Sequence, residues 1–177
     1  LYMGIAHDTG VFQYSCTSPE TMEAAANLMR KGVQGDEIIE KSYFEKSYVQ
    51  NQILGKALLE SMMILDRRCI VSYISQKDLS FFEAVPSDLD GIVSQLRQTA
   101  GVETAIFLYE MEPHTYKVSL RSKGSVDVSR IAKYFGGGGH VRAAGVTMKG
   151  TVHDVINNIS GQIALQLCGA NSGETEC

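Results

Sequence analysis

The segment Tyr116-Lys117-Val118-Ser119-Leu120-Arg121-Ser122 alternates apolar and polar side chains without interruption. A period of two places Tyr116, Val118 and Leu120 on one face of a strand and Lys117, Ser119 and Arg121 on the other. Such a strand needs a core behind it and a polar surface in front, so it commits the chain to a two-sided sheet. The surrounding sequence can build one. Residues 103–110 read as a hairpin partner with Pro113 in the turn, and residues 70–75 and 144–148 read as further strands. Helical faces fall between them: Leu89, Ile92, Val93 and Leu96, then Val128, Ile131, Ala132 and Phe135 behind Asp127 as N-cap. A last face, Val152, Val155, Ile156, Ile159 and Ile163, is closed by Gly169. Strand and helix signals thus alternate over residues 66–169, predicting a compact α/β domain with a mixed sheet.

The first third reads differently. Leu1-Tyr2-Met3-Gly4-Ile5 is an apolar run expected as a strand of a larger sheet. Ser18 and Pro19 form a helix start, Met22, Ala25, Ala26 and Met29 follow at helical spacing, and Gly32 ends the helix. Leu54, Leu58, Met62 and Leu65 predict one long helix over residues 43–65, suited to joining two parts of the protein. The final polar residues, 170–177, are expected to be a disordered tail.

With 177 residues, 44% of them hydrophobic, the chain can hold one domain plus part of another. Its net charge of −4 argues against a large nucleic-acid-coating surface and leaves room for a local basic pocket. No apolar stretch reaches the length of a membrane span. The four cysteines, Cys16, Cys69, Cys168 and Cys177, lie far apart. That spacing fits reduced thiols and an expected cytoplasmic location.

Two stretches carry possible chemistry. Arg121 and Ser122 are either part of a solvated strand face or an anion site in which the guanidinium grips phosphate oxygens and the hydroxyl donates. Phe135-Gly136-Gly137-Gly138-Gly139-His140-Val141-Arg142-Ala143-Ala144-Gly145 follows a helix and precedes a strand. One glycine suffices to cap a helix, whereas four let successive backbone N–H groups approach a ligand with His140 beside them. Neither a Walker A loop nor a G-x-G-x-x-G fingerprint is present. At the front, Asp8 in His7-Asp8-Thr9-Gly10 is either a metal ligand at a strand end or a turn former.

In order along the chain, Gly4-Ile5-Ala6-His7-Asp8-Thr9-Gly10-Val11-Phe12, Ser119-Leu120-Arg121-Ser122, Val126-Asp127-Val128 and the Gly136–Gly145 element resemble the C-terminal part of DHH-family phosphoesterases. The likeness is to the oligoribonuclease and 3′-phosphoadenosine 5′-phosphate phosphatase branch. The resemblance implies that residues 1–43 are the truncated end of a parallel-sheet α/β catalytic DHH domain, 44–65 a linker helix, and 66–169 a mixed-sheet DHH-associated substrate-binding domain. It implies that Asp8 is a catalytic residue contacting Mn²⁺ in a two-metal site. Arg121, Ser122, Gly137, Gly138, Gly139 and His140 would form the wall that closes on the nucleotide across a cleft.

The Asp-His-His triplet that names the family does not occur in the chain. The expectation is therefore a C-terminal piece of a Mn²⁺-dependent hydrolase, inactive alone, whose parent acts on short single-stranded RNA or phosphorylated nucleotides. The alternatives are a cyclic-dinucleotide phosphodiesterase of the same family and a non-catalytic nucleic-acid-binding module. Apolar surface on residues 1–43 would favour self-association, so a homodimer is possible on this reading.

Overall fold

The computed structural model describes residues 1–171, and the chain forms two compact units, Leu1–Ser47 and Tyr48–Cys177. In the described residues of the first unit the regular elements are all helical: α1 (Tyr2–Asp8), α2 (Pro19–Arg30) and α3 (Gly35–Ile39), which runs into a π-helical turn over Glu40–Phe44. Helix α2 starts where the sequence places it, with the Ser18 hydroxyl accepting the Thr21 N–H at 3.3 Å and Pro19 in the first turn.

The strand expected over residues 1–5 is instead the start of α1. Tyr2, Ala6 and Thr9 are buried, at helical spacing. The described part of this unit offers no neighbouring strand, and a helix pairs its own N–H and C=O groups where a lone strand cannot.

The long helix expected over 43–65 is also different. Glu45 takes an extended conformation after the π turn, α4 runs Tyr48–Leu59, and Met62–Ile64 forms strand β1. Helix α4 is part of the second unit's core: Ile53 and Ala57 are fully buried, and the Ser72 hydroxyl donates to the Ala57 carbonyl at 2.7 Å. A short apolar run pairs with a neighbouring strand here in preference to extending a helix.

The second unit is built on six strands: β1, β2 (Cys69–Ile74), β3 (Thr104–Glu112), β4 (Thr115–Ser122), β5 (Gly138–His140) and β6 (Ala143–Lys149). Their order is β1-β2-β3-β4-β6-β5, with β2 and β3 parallel and every other pair antiparallel. The parallel pair requires a crossover. It is made by α5 (Gln76–Phe81), a 3-10 turn over Pro86–Leu89, and α6 (Ile92–Arg97). Gly91, with φ of +87°, separates the turn from α6, so the single helical face expected from Leu89 to Leu96 is broken there. Helices α7 (Val128–Tyr134) and α8 (Val152–Asn171) follow. Of the tail expected from residue 170, the first two residues lie in α8 and the rest lies outside the described residues.

One face of the sheet is sealed. Ile106, Leu108, Val118, Leu120 and Val146 pack there with Ile131 of α7 and Ile159 and Ile163 of α8. The other face is sealed over β2 and β3, where Ile70, Ile74, Ala105 and Phe107 meet Ile53 of α4 and Leu96 of α6. Beyond β3 this second cover thins. Ser119, Arg121, Ala143 and Gly145 are half-buried, and Lys117, Gly138, His140 and Thr147 are exposed. No helix among the described residues is long and apolar enough to cross a membrane.

Candidate anion-binding site

The bare part of the sheet brings together residues far apart in sequence. Register pairs Arg121 on β4 with Ala143 on β6, and Ala143 with His140 on β5. Arg121 and His140 therefore stand on one face in one cross-strand row, two strand spacings or about 10 Å apart. The next row runs Ser119, Gly145, Gly138. Side chains stand roughly perpendicular to a sheet, so the long Arg121 and His140 flank a low floor of Ala143, Gly145 and Gly138. A donor-lined trough with a flat floor suits an anion such as a phosphate, because guanidinium and imidazole donate from the sides while backbone lies within reach below. Arg121 is partly anchored, its guanidinium donating to the Leu120 carbonyl at 3.0 Å.

The glycine run divides into distinct duties. Gly136 has a φ of +82° and donates its N–H to the Lys133 carbonyl, ending α7 in the left-handed region that favours glycine. A Cβ on Gly137 would lie 2.6 Å from the Val146 Cβ, and one on Gly139 would lie 2.5 Å from the Ala144 Cα. These two are required for β5 to lie against β6. Gly138 has neither constraint: its φ is not in the left-handed region and nothing lies within 4 Å of the position of a Cβ. Its missing side chain opens onto the trough. Of the predicted site residues, Gly137 and Gly139 thus have structural causes, and Gly138 is the glycine that packing leaves unexplained.

Ser122 is a correction. It pairs with Thr104, is fully buried and faces the sealed side of the sheet, opposite to Arg121. Its hydroxyl donates to the Val141 carbonyl at 3.4 Å and its N–H to the Arg142 carbonyl at 3.1 Å. It therefore secures the turn that carries His140. The hydroxyl that shares the trough with Arg121 belongs to Ser119, which the alternation of β4 already placed on that face. The same turn is tied a third time, the Val128 N–H donating to the Val141 carbonyl at 3.0 Å.

Helix α7 is fixed in turn by its cap. Asp127 Oδ1 accepts the Ser129 N–H at 2.9 Å, the Ser129 hydroxyl at 2.6 Å and the Arg130 N–H at 3.2 Å. The Ser129 hydroxyl, helped by the two N–H groups, holds the Asp127 carboxyl below its ordinary value. Asp127 also exchanges backbone hydrogen bonds with the Gln166 side-chain amide of α8.

Arg97 was not anticipated. Val93, Leu96 and Arg97 share one stripe of α6, the first two are buried, and the Arg97 Nε is buried with no hydrogen-bond partner. Just beyond α6 the Thr99 carbonyl accepts from Lys123 Nζ at 3.3 Å, so this end of α6 lies by the Arg121 end of β4. A cation on an otherwise apolar helical stripe was the signal in the sequence.

Asp8 is the last residue of α1, exposed, in the first unit. It sits at a helix end, not at a strand end. No cluster of three or more His, Cys, Asp or Glu able to hold a metal ion occurs among the described residues. The triplet Asp88-Leu89-Asp90 straddles the end of the 3-10 turn, where Asp88 accepts the Val85 N–H at 2.9 Å and Asp90 is the extended residue that follows. The donor set here does not fit a two-metal centre, which needs several carboxylates and imidazoles around paired ions.

Residues 48–166 match the family model of the DHHA1 domain. Over 148 residues the chain is 33% identical to the bifunctional oligoribonuclease and PAP phosphatase NrnA of Thermus thermophilus, covering 83% of this chain and 43% of that protein. It is 26% identical to the Bacillus subtilis protein of the same name, covering 84% of this chain and 46% of that one. The crystal structure of an exopolyphosphatase-related protein from Bacteroides fragilis superposes with a TM-score of 0.83 at 26% identity, covering 89% of this chain and 46% of that one. The chain thus spans less than half the length of each of these relatives.

Proposed function

Because the chain belongs to the DHHA1 domain family, we propose that its second unit is the substrate-binding part of a phosphoesterase that hydrolyses short oligoribonucleotides or 3′-phosphoadenosine 5′-phosphate (pAp). The observation that carries this reading is the Arg121–Ala143–His140 row above the bare floor at Gly138 and Gly145. Arg121 grips the oxygens of a phosphate, Ser119 adds a hydroxyl, and His140 donates from the opposite wall. Ser122 and Asp127 hold the hairpin and the helix that set His140 in place. Held this way, a substrate is oriented rather than activated, and orientation alone is a large part of rate enhancement.

Hydrolysis with Mn²⁺ needs ligands beyond Asp8, so the chain by itself binds without turning over. Calorimetric titration of the 177-residue chain with pAp and with the dinucleotide pApA tests the binding role. Arg121→Ala should weaken both by roughly 10- to 100-fold, the loss expected for charge-assisted hydrogen bonds to a phosphate. Equal affinity for wild type and variant overturns the assignment of Arg121.

A further inference from the structure

Following β4 away from Arg121 on the same face, the residues are Ser119 and then Lys117, four positions or about 13 Å along the strand. Lys117 pairs with Tyr109 of β3 on one side and with Thr147 of β6 on the other. Tyr109 is half-buried and forms part of the lining of a groove of about 510 Å³, together with Gln76, Leu79 and Ser80 of α5, Pro86, and Met111. The groove therefore lies at the margin of the cover over β2 and β3, and its Tyr109 is one strand away from Lys117 on the bare part of the sheet.

The chemistry of this groove is not that of the trough. Its apolar walls are an aromatic ring, a leucine, a proline and a methionine, and its polar groups are neutral, apart from Glu110. That carboxylate is engaged by the protein: it accepts from the Tyr73 hydroxyl at 3.2 Å, the Gln76 N–H at 3.4 Å and the His114 N–H at 3.3 Å. Flat apolar walls with a few polar edges suit a nucleobase, which stacks by its face and donates or accepts at its rim. Exposed Lys117 lies between the two sites, where it would meet the sugar–phosphate link.

We propose that the Tyr109 groove is a second subsite, taking the base of a nucleotide one or two links away from the phosphate held by Arg121. The inference rests on the proposed binding role of the trough. The distance is one that a single nucleotide does not bridge and a short oligonucleotide does, so the groove gives the chain a means to distinguish oligonucleotides from pAp.

The test is calorimetry of the wild type, Tyr109→Leu and Lys117→Ala with pAp, pApA and pApApA. Tyr109→Leu keeps apolar volume against the neighbouring core while removing the stacking ring, and Lys117→Ala alters an exposed side chain that the fold does not need. The expected result is that wild type binds pApApA at least about tenfold more tightly than pAp, that Tyr109→Leu removes most of this gain, and that Lys117→Ala removes part of it. Both variants should bind pAp as wild type does. Should pAp bind while the longer ligands gain nothing, or should both variants keep the full gain, the groove is not a subsite and the trough stands. Absence of binding for every ligand overturns the trough and the groove together.

Discussion

A methyl group at Gly138 would project into open space above the sheet, whereas at Gly137 or Gly139 it would strike the backbone of β6. The three substitutions to alanine therefore separate packing from recognition. Gly137→Ala and Gly139→Ala should each lower stability by about 2 kcal/mol or more in chemical denaturation, as overpacked backbone contacts do. Gly138→Ala should stay within about 0.5 kcal/mol of wild type and weaken pApA binding in calorimetry. Arg97 offers the reverse contrast. A buried N–H without a partner costs roughly 1–3 kcal/mol, so Arg97→Met should leave stability unchanged or raise it by up to about 1 kcal/mol. The same variant should bind pAp more weakly if Arg97 supplies a second cation to the Arg121 end of the trough. The period of two that puts Ser119 on the face of Arg121 also puts Ser122 on the opposite, sealed face. At this scale the alternation of β4 was legible in the sequence, and the pairing of Arg121 with its sequence neighbour Ser122 in one wall was not consistent with it.

Among the elements, α7 and the β5–β6 hairpin matter most, because they carry His140. Asp127→Ala removes the cap of α7 and should cost about 1 kcal/mol in urea denaturation. The Asp127 carboxyl lies below its ordinary value when folded. Its contribution is therefore complete above the carboxyl's unfolded value and is lost as pH falls through the folded value. Asp127→Asn keeps a capping oxygen that does not titrate, so the stability of wild type relative to this variant should shrink in urea melts taken from pH 7 down to pH 3. The elements with clear periodicity and caps, α2, β2, β3, β4, α7, β6 and α8, were legible in the sequence. Those that were not are short or depend on partners. Strands β1 and β5 have three residues each and exist by pairing with β2 and β6, and α5 has six residues with a capping box formed by Ser75 and Asp78. Residues 1–5 were misread because apolar content alone does not separate a strand from a helix, and burial at i and i+4 became visible only once the chain was folded.

For the molecule as a whole, the mixed sheet followed from the alternation of strand and helix signals. The half-covered second face did not, since it depends on how far the crossover helices reach. That partial cover leaves room for the proposed site: full cover over β4, β6 and β5 would bury Arg121, and none would leave Ala105 and Phe107 in water. The Arg121→Ala titration and the comparison of pAp with longer oligonucleotides both test this scale, because each asks whether the bare half of the sheet acts as one continuous surface. The fit of the metal-ligand set is decided at the same scale. Among the described residues no three His, Cys, Asp or Glu side chains cluster as a metal site needs, so the predictions made for this chain concern binding.

Strand β4 answers to two masters at alternate positions, core at 116, 118, 120 and 122 and open surface at 117, 119 and 121. Over generations the two sets are free to drift separately. On the proposed binding role, substitutions at 117 or 119 would alter which phosphorylated molecule is held while leaving the buried set of β4 untouched. A saturation scan along β4 read once for abundance and once for ligand capture should then give two combs with teeth out of step by one residue.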